Sequence, residues 1–537
     1  MPALPPIPSL PELPPPGERP AWLEVLLEVV AAQGEHIAAQ AERIHGLLEE
    51  NQALRDEVAR LKKQKPKPTI RPSRLTAGEK NKRRATRRRK RDGERQVDET
   101  VVVEAKDVPE GSRFKGYDDF FVQDLVIQVR ATRYRLQRWL TPEGKLVVAE
   151  LPVEAEAGHY GPTLRSFVIY QYYHAQVTEP LILEELREWG VEISSGHLHA
   201  LITEGKEPFH REKNEILRIG LRVSRYVHAD DTGARHRGKN GYTTHIGNEW
   251  FAWFQTTESK SRINFLELLR AGRTDYVLSS EALEYMVVHK LPQEPLAKLA
   301  AATDRSFADR TEWEAALKGW GITDERHVRI ATEGALLGSA LEHGINRELA
   351  IISDDAGQFD VLLHALCWIH AERLLAKLVG FNDAQRQALE EVRTAVWQLY
   401  RDLKDYQAAP TGETKKALAD RFDALCTTKT CFTTLNHALK RMHRNKGELL
   451  LALERPDLPL HNNLSEGDIR EYVKRRKISG GTRSDDGRRC RDTFASLKKT
   501  CRKHGISFWK YLNDRLRGEG LIRPLPDLIE ARALSPP

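Results

Sequence analysis

Two short apolar runs, each ending in a pair of aspartates, constrain this chain more than any other feature: RYVHADDTG at 225–233 and LAIISDDAG at 349–357. Runs of β-branched, aromatic and aliphatic residues bounded by turn formers read as strands, so both acidic pairs project from a sheet's edge. A third acid lies far along the chain. The stretch LHNNLSEGDIREYVKRRKISGGTRSDDGRR at 460–489 sets Glu466 at the head of a helix dense with Arg and Lys. One reading of Glu466 is a capping box, with Asn463 as cap and Glu466 reaching back to the free backbone N–H. The other is a cage in which Glu466 joins Asp230-Asp231 and Asp354-Asp355 as oxygen ligands for Mg²⁺ or Mn²⁺, hard cations that keep positions open for water and phosphate. Two such ions about 4 Å apart clamp the attacking and leaving oxygens of a phosphodiester displacement.

A chain of 537 residues is too long for one core and implies several domains. No apolar run reaches the roughly 18 residues that span a bilayer. The start, MPALPPIPSLPELPPPGERP, is proline-rich without a basic-then-apolar export pattern, so nothing suggests export and a cytoplasmic protein is expected. Five cysteines, odd in number and all in the C-terminal third, fit reduced thiols. The formal charge of +7 is uneven: residues 62–95 hold sixteen Lys and Arg against three acids, which leaves the rest of the chain net acidic.

Residues 1–20 read as disordered. Over 21–63 a seven-residue repeat places Leu23, Val30, Ile37, Ile44, Asn51 and Val58 at a and Leu26, Leu47, Leu54 and Leu61 at d. β-Branched a positions, Leu at d and one Asn at a describe a parallel two-stranded coiled coil, hence a homodimer or higher assembly. The arm at 64–96 has almost no apolar residues and cannot fold alone. Its RRATRRRKR run, with Arg87, Arg88 and Arg89, suits sequence-independent phosphate binding. Residues 97–156 alternate apolar and polar and read as a small β-rich module. Over 160–212, a helix entered at Thr178 and Pro180 stops at Gly190, and a second runs from Ser194 and Ser195 to near Gly205, compatible with a helix-turn-helix.

Beyond residue 220 the order strand, strand, strand, helix, strand, strand, acidic helix matches a ribonuclease H-like mixed sheet. Its segments are 220–271, 347–382 and 458–517, interrupted by helical insertions at 272–346 and 383–457 and followed by a tail at 518–537. The fold class is therefore multidomain α/β.

ADDTG, SDDAGQFDVLLHALCWIHAERLL and HNNLSEGDIREYVKRRKISGGTRSDDGRRCRDTFASLKKTCRKHGISFWKYL together resemble the bacterial transposases of the insertion-sequence-sixty-six family, which are Asp-Asp-Glu transposases. The likeness is close over 220–516 and looser over 163–210. It implies a metal-dependent enzyme that nicks DNA at element ends and joins the 3′ ends to target DNA, with Asp230, Asp354 and Glu466 as the triad that binds two metal ions. Arg470, Lys474, Arg475, Arg476, Lys477 and Arg483 are expected to face the DNA backbone. Cys367 and His370, the C-x-x-H of HALCWIH, are similar to a motif that follows the second aspartate in many transposases; with Arg373 they are expected to support the ligands. The family's usual cysteine-rich segment between zipper and helix-turn-helix is replaced here by a cysteine-free module, and the interruption at 272–346 is longer than usual. Small accessory proteins of the same element are implied partners. The rival readings are an inactive, dimeric DNA-binding descendant and a ribonuclease H-like nuclease without strand joining.

Overall fold

The computed structural model describes residues 97–152 and 158–534, together with Leu23 and Gln33, both helical. The expected proline-rich start, coiled coil and basic arm with Arg87, Arg88 and Arg89 otherwise lie outside the described residues. Two compact units divide the chain, Met1–Phe121 and Val122–Pro537. In the first, residues 97–121 run exposed without helix or strand.

The second unit opens with a hairpin, β1 (Arg138–Leu140) and β2 (Leu146–Val148), closed by the Pro142-Glu143-Gly144 turn. Among the described residues, the strands of the β-rich module expected over 97–156 are confined to this hairpin. VVVEAK and DLVIQV alternate as strands do, but Val102, Val126 and Ile127 stay more than half exposed. Without a second layer to cover its apolar face, alternation alone does not hold a sheet.

Helices α1 (Pro162–Ile169), α2 (Glu179–Glu188), α3 (Ser195–Thr203) and α4 (Glu207–Val223) follow. Their caps are those the sequence announced: Pro180 lies in the first turn of α2, Gly190 turns with φ +84°, and the Ser194 hydroxyl accepts from His197 N–H at the head of α3. The α2–α3 pair packs within the larger unit. Ile182, Leu186, Leu198 and Ile202 are sealed into the same apolar core as the sheet.

That sheet has five strands in the order β5-β4-β3-β8-β9. β3 (Tyr226–His236), β4 (Lys239–Gly247) and β5 (Ala252–Thr257) form an antiparallel meander, while β8 (Ala350–Ser353) and β9 (Leu363–Leu366) extend it in parallel. β8 is buried at every position, which is why it reads as an unbroken apolar run. Between β5 and β8 lie α5 (Arg262–Leu269), the two-residue strands β6 (Tyr276–Val277) and β7 (Ser306–Phe307), and α6 (Ser280–Val288), α7 (Gln293–Ala300), α8 (Arg310–Gly319) and α9 (Glu325–Glu342).

After β9 comes α10 (Trp368–Ala376), and then a second set of helices: α11 (Asp383–Ala408), α12 (Gly412–Thr427), α13 (Thr433–Arg444) and α14 (Lys446–Leu449). The chain returns to the sheet with α15 (Asn463–Ser479) and α16 (Asp485–Lys503), which lie over β3, β4 and β5. α17 (Phe508–Arg517) and α18 (Leu525–Leu534) finish it. The stretch 518–537, expected to be a tail, instead carries α18 back onto α4, with Leu525 and Ile529 fully buried and Arg222 paired to Glu530.

Candidate functional site

Register brings the first two acids together. β3 and β8 run parallel with His228 opposite Ile352, so Asp230 and Asp354, each two residues further on, emerge side by side. Alternation along a strand then decides which face each residue takes. His228 contacts Asn462 at the head of α15, so Asp230, two residues later, shares the face that α15 covers. Glu466 comes down on that face from the first turn of α15. Burial foremost pushes the Asp230 carboxyl up to about 7, with the charges of Asp354, Asp231 and Glu466 adding to the rise and the Asp231 N–H opposing it.

The neighbouring acids are engaged elsewhere. Asp231 accepts from Gln358 Nε2 at 2.7 Å. Asp355 is held by Arg441 and by Asn445 Nδ2, both from the second set of helices. The Asp354 carboxylate accepts only the local Ala356 N–H among the described hydrogen bonds, at 3.2 Å.

Glu466 does not close a capping box. Asn462, rather than Asn463, is the residue at the N-cap, and its side chain ignores the helix: Oδ1 meets His228 Nδ1 at 2.9 Å and Nδ2 donates to Ala229 O. Freed from capping, the Glu466 carboxylate takes a hydrogen bond from Arg373 Nη1 at 2.9 Å and lies 3.5 Å from His370 Nε2. Cys367, buried, accepts from the Asn462 N–H through Sγ. All three residues of the C-x-x-H region therefore bear on the start of α15. In this arrangement Glu466 leans toward its counter-charge. Asp230, Asp354 and Glu466 do not gather their ligand atoms within 4.8 Å of one another, a spacing that among the described residues only Asp360, His364 and Glu448 achieve.

A buried polar layer, not legible beforehand, fixes α15 and α16 on the sheet. His245 binds Ser465 Oγ at 2.7 Å and sits 3.3 Å from Asp468. Lys499 and Lys503 pair with Asp468, and Lys498, Lys499 and Arg502 pair with Glu471. Burial opposes the charge on Glu471, yet Lys498 and Lys499 outweigh it and hold its carboxyl down at about 2. The same opposition at Asp468 resolves well below the usual carboxylate range, under His245, Lys503 and Lys499. Asp492, fully buried, accepts from Thr256 N–H and from the Thr256 and Tyr472 hydroxyls. Three internal hydrogen bonds are what such a desolvated acid requires.

The basic residues divide. Arg470, Lys474, Lys477 and Arg483 are exposed, and Arg476, half-buried, reaches Thr232 Oγ1. Arg475 departs from the expected DNA-facing set. It is buried, its guanidinium 4.0 Å from the Tyr172 ring centroid and donating to Val177 O, so it anchors the N-terminal helices. Lys498 and Lys499 also point inward, although α16 does put Phe494, Leu497 and Cys501 on one buried face. The Gly480-Gly481 turn is structural: Thr482 N donates to Arg235 O, Arg237 N donates to Thr482 O, and a Cβ on Gly481 would meet Arg235 O at 2.4 Å.

Residues 355–489 match the Transposase IS66 family. That span contains Glu466 and begins one residue after Asp354. The chain is also 46% identical over 321 residues to an uncharacterised protein, y4jO, of Sinorhizobium fredii, an alignment covering 59% of this chain and all of that protein.

Proposed function

Because the chain belongs to the IS66 family of transposases, we propose that it cuts DNA at the ends of its element and joins the 3′ ends to target DNA, with Asp230, Asp354 and Glu466 as the metal-binding acids on a ribonuclease H-like core. The observation that carries this reading is the parallel register that sets Asp230 beside Asp354 on the face covered by the Glu466 helix. The donor set is all carboxylate oxygen, which suits Mg²⁺ or Mn²⁺. When bound, such ions supply a water or 3′-hydroxyl of lowered pKa and stabilise the leaving oxygen.

The chain's own residues supply the rest. Asp231 and Asp355 are tied to Gln358 and Arg441, which leaves the first aspartate of each pair for the ions. Arg373 pairs with Glu466 and His370 lies beside it, so the two side chains orient that carboxylate. Arg470, Lys474, Lys477 and Arg483 offer exposed positive charge to the phosphate backbone next to the acids.

Supercoiled DNA bearing the element's ends is the test substrate. Mg²⁺ should support nicking and strand joining, and Glu466→Gln should lower the rate by about a hundredfold to a thousandfold, the scale of losing one group that stabilises the transition state, while end binding persists. Cleavage that survives Glu466→Gln refutes the assignment, and cleavage indifferent to end sequence without joining points to a plain nuclease.

A further inference from the structure

Asp360, His364 and Glu448 bring one ligand atom apiece within 4.8 Å of one another, with Asp360 and His364 standing six and ten residues beyond Asp354 in sequence. Asp360 follows the turn Gly357–Phe359, His364 lies on the sheet's last strand, β9, and Glu448 lies on α14 of the second set of helices. Three acids and bases near one another are common on protein surfaces. Here the imidazole is different, because its residue is only 8% exposed and its Nδ1 has no hydrogen-bond partner among the described residues.

Proton accounting says what that nitrogen carries. The Ser353 hydroxyl gives its only proton to Asp354 O at 2.7 Å. It must therefore accept from His364 Nε2, 2.8 Å away, which puts the ring proton on Nε2. In the neutral form of that tautomer, Nδ1 presents a bare lone pair to Glu448 Oε1, 3.7 Å away, and Asp360 Oδ1, 3.9 Å away. A lone pair facing two carboxylates is repulsive unless a cation stands between them. A proton on Nδ1 satisfies them poorly, since both distances exceed the roughly 3.2 Å limit of an N–H···O bond. A metal with bonds of about 2 Å to nitrogen and oxygen needs only slight closure of the trio.

We propose that Asp360, His364 and Glu448 bind a divalent transition metal, Zn²⁺ in preference to Mg²⁺. One imidazole and two carboxylates favour Zn²⁺, whereas Mg²⁺ prefers oxygen ligands and retains its water. The site clamps the second set of helices to β9. The Nε2–H bond to Ser353 orients the ligand ring in the way that metal-bound histidines are commonly held, and the same serine touches the backbone of Asp354. The inference stands independently of the transposase chemistry.

The test uses the full chain with Asp230→Asn and Glu466→Gln introduced, so that the triad cannot contribute. After chelator treatment, ZnCl₂ is titrated by calorimetry, and CoCl₂ by its visible absorption. One Zn²⁺ per chain is expected, with hydrogen exchange slowing in residues 363–366 and 446–449. Glu448→Gln and Asp360→Asn, at side chains 34% and 51% exposed, leave the fold intact and should each weaken binding by at least about tenfold. Absence of stoichiometric Zn²⁺ binding, or binding that neither variant weakens, overturns the proposal and leaves a protonated imidazole between the two acids.

Discussion

The two helical interruptions of the sheet look alike in sequence, each mostly helical and polar, yet they are built into the molecule in opposite ways. The first, at 272–346, has no core of its own: Tyr276, Met286, Trp313, Leu336 and Leu337 belong to the same apolar cluster as Val227 of β3 and Phe494 of α16. The second, at 383–457, packs Leu389, Val396, Phe422, Leu435 and Leu439 into a separate cluster that meets the sheet chiefly through Leu366, Trp368 and Leu460. Leu451 adds an apolar contact to Ala350, Ile352 and Ala365 of the sheet, and the other ties are polar. Trp368 Nε1 donates to Leu449 O, Arg393 pairs with Glu372, and Arg441 grips Asp355. An insertion that shares a core is part of the fold. One with a private core is a module whose position is set by its few attachments, and here those attachments end beside the acids.

The sharpest way to break this contrast is Trp313→Ala. Trp313 is fully buried, stacked on Tyr276 and donating to Thr332. Its loss should cost about 3–5 kcal/mol and lower the melting transition of the sheet itself in calorimetry. Phe422→Ala removes a comparable side chain and should cost a similar amount, about 3–5 kcal/mol, but hydrogen exchange should accelerate only over 383–457. If exchange also rises in β3 and β8, the module is not separate.

A smaller effect distinguishes the sheet's side through acid. Glu471 has its carboxyl held down at about 2, against an ordinary 4.5. A depressed carboxylate contributes stability above its unfolded pKa and loses it as pH falls through the folded value, so stability should drop between about pH 4.5 and 2. Glu471→Gln should flatten that drop and cost up to about 3 kcal/mol at neutral pH, because Lys498 then stays buried without its partner. Denaturant midpoints across that pH window give both numbers. Arg441→Ala is the gentlest probe: an exposed ion pair is worth about 0.2–1 kcal/mol. The melting point should barely move, while exchange near Asp355 quickens.

Much of this plan was legible. The apolar runs before Asp230 and Asp354 became neighbouring strands, HALCWIH became a strand entering a helix, and Ser194, Pro180 and Gly190 marked helix ends correctly. These features are local, and a local pattern reports local structure. Reading failed where charge was spent inside. Arg475, Lys498 and Lys499 sit at helical positions that look solvated, but their partners Tyr172, Glu471 and Asp468 are brought near only by the fold. The same holds for Glu448, which lies 84 positions beyond His364 in sequence and is brought to it and to Asp360 only by the fold. In 97–152 the opposite error arose, since alternation suggested strands whose apolar residues find no covering layer among the described residues.

The helix that carries Glu466 is riveted at both ends to one strand. At its head Asn462 fastens to Ala229, the residue before Asp230, and just past its foot Thr482 is stitched to Arg235 and Arg237. A beam fixed at two points neither slides nor pivots, and Glu466 stands four residues past the head attachment at Asn462, so its place over the strand is gauged from there. Inserting or deleting a single residue between Asn462 and Glu466 would throw that gauge out by about 1.5 Å of rise and 100° of rotation, however faultless the acids themselves remained.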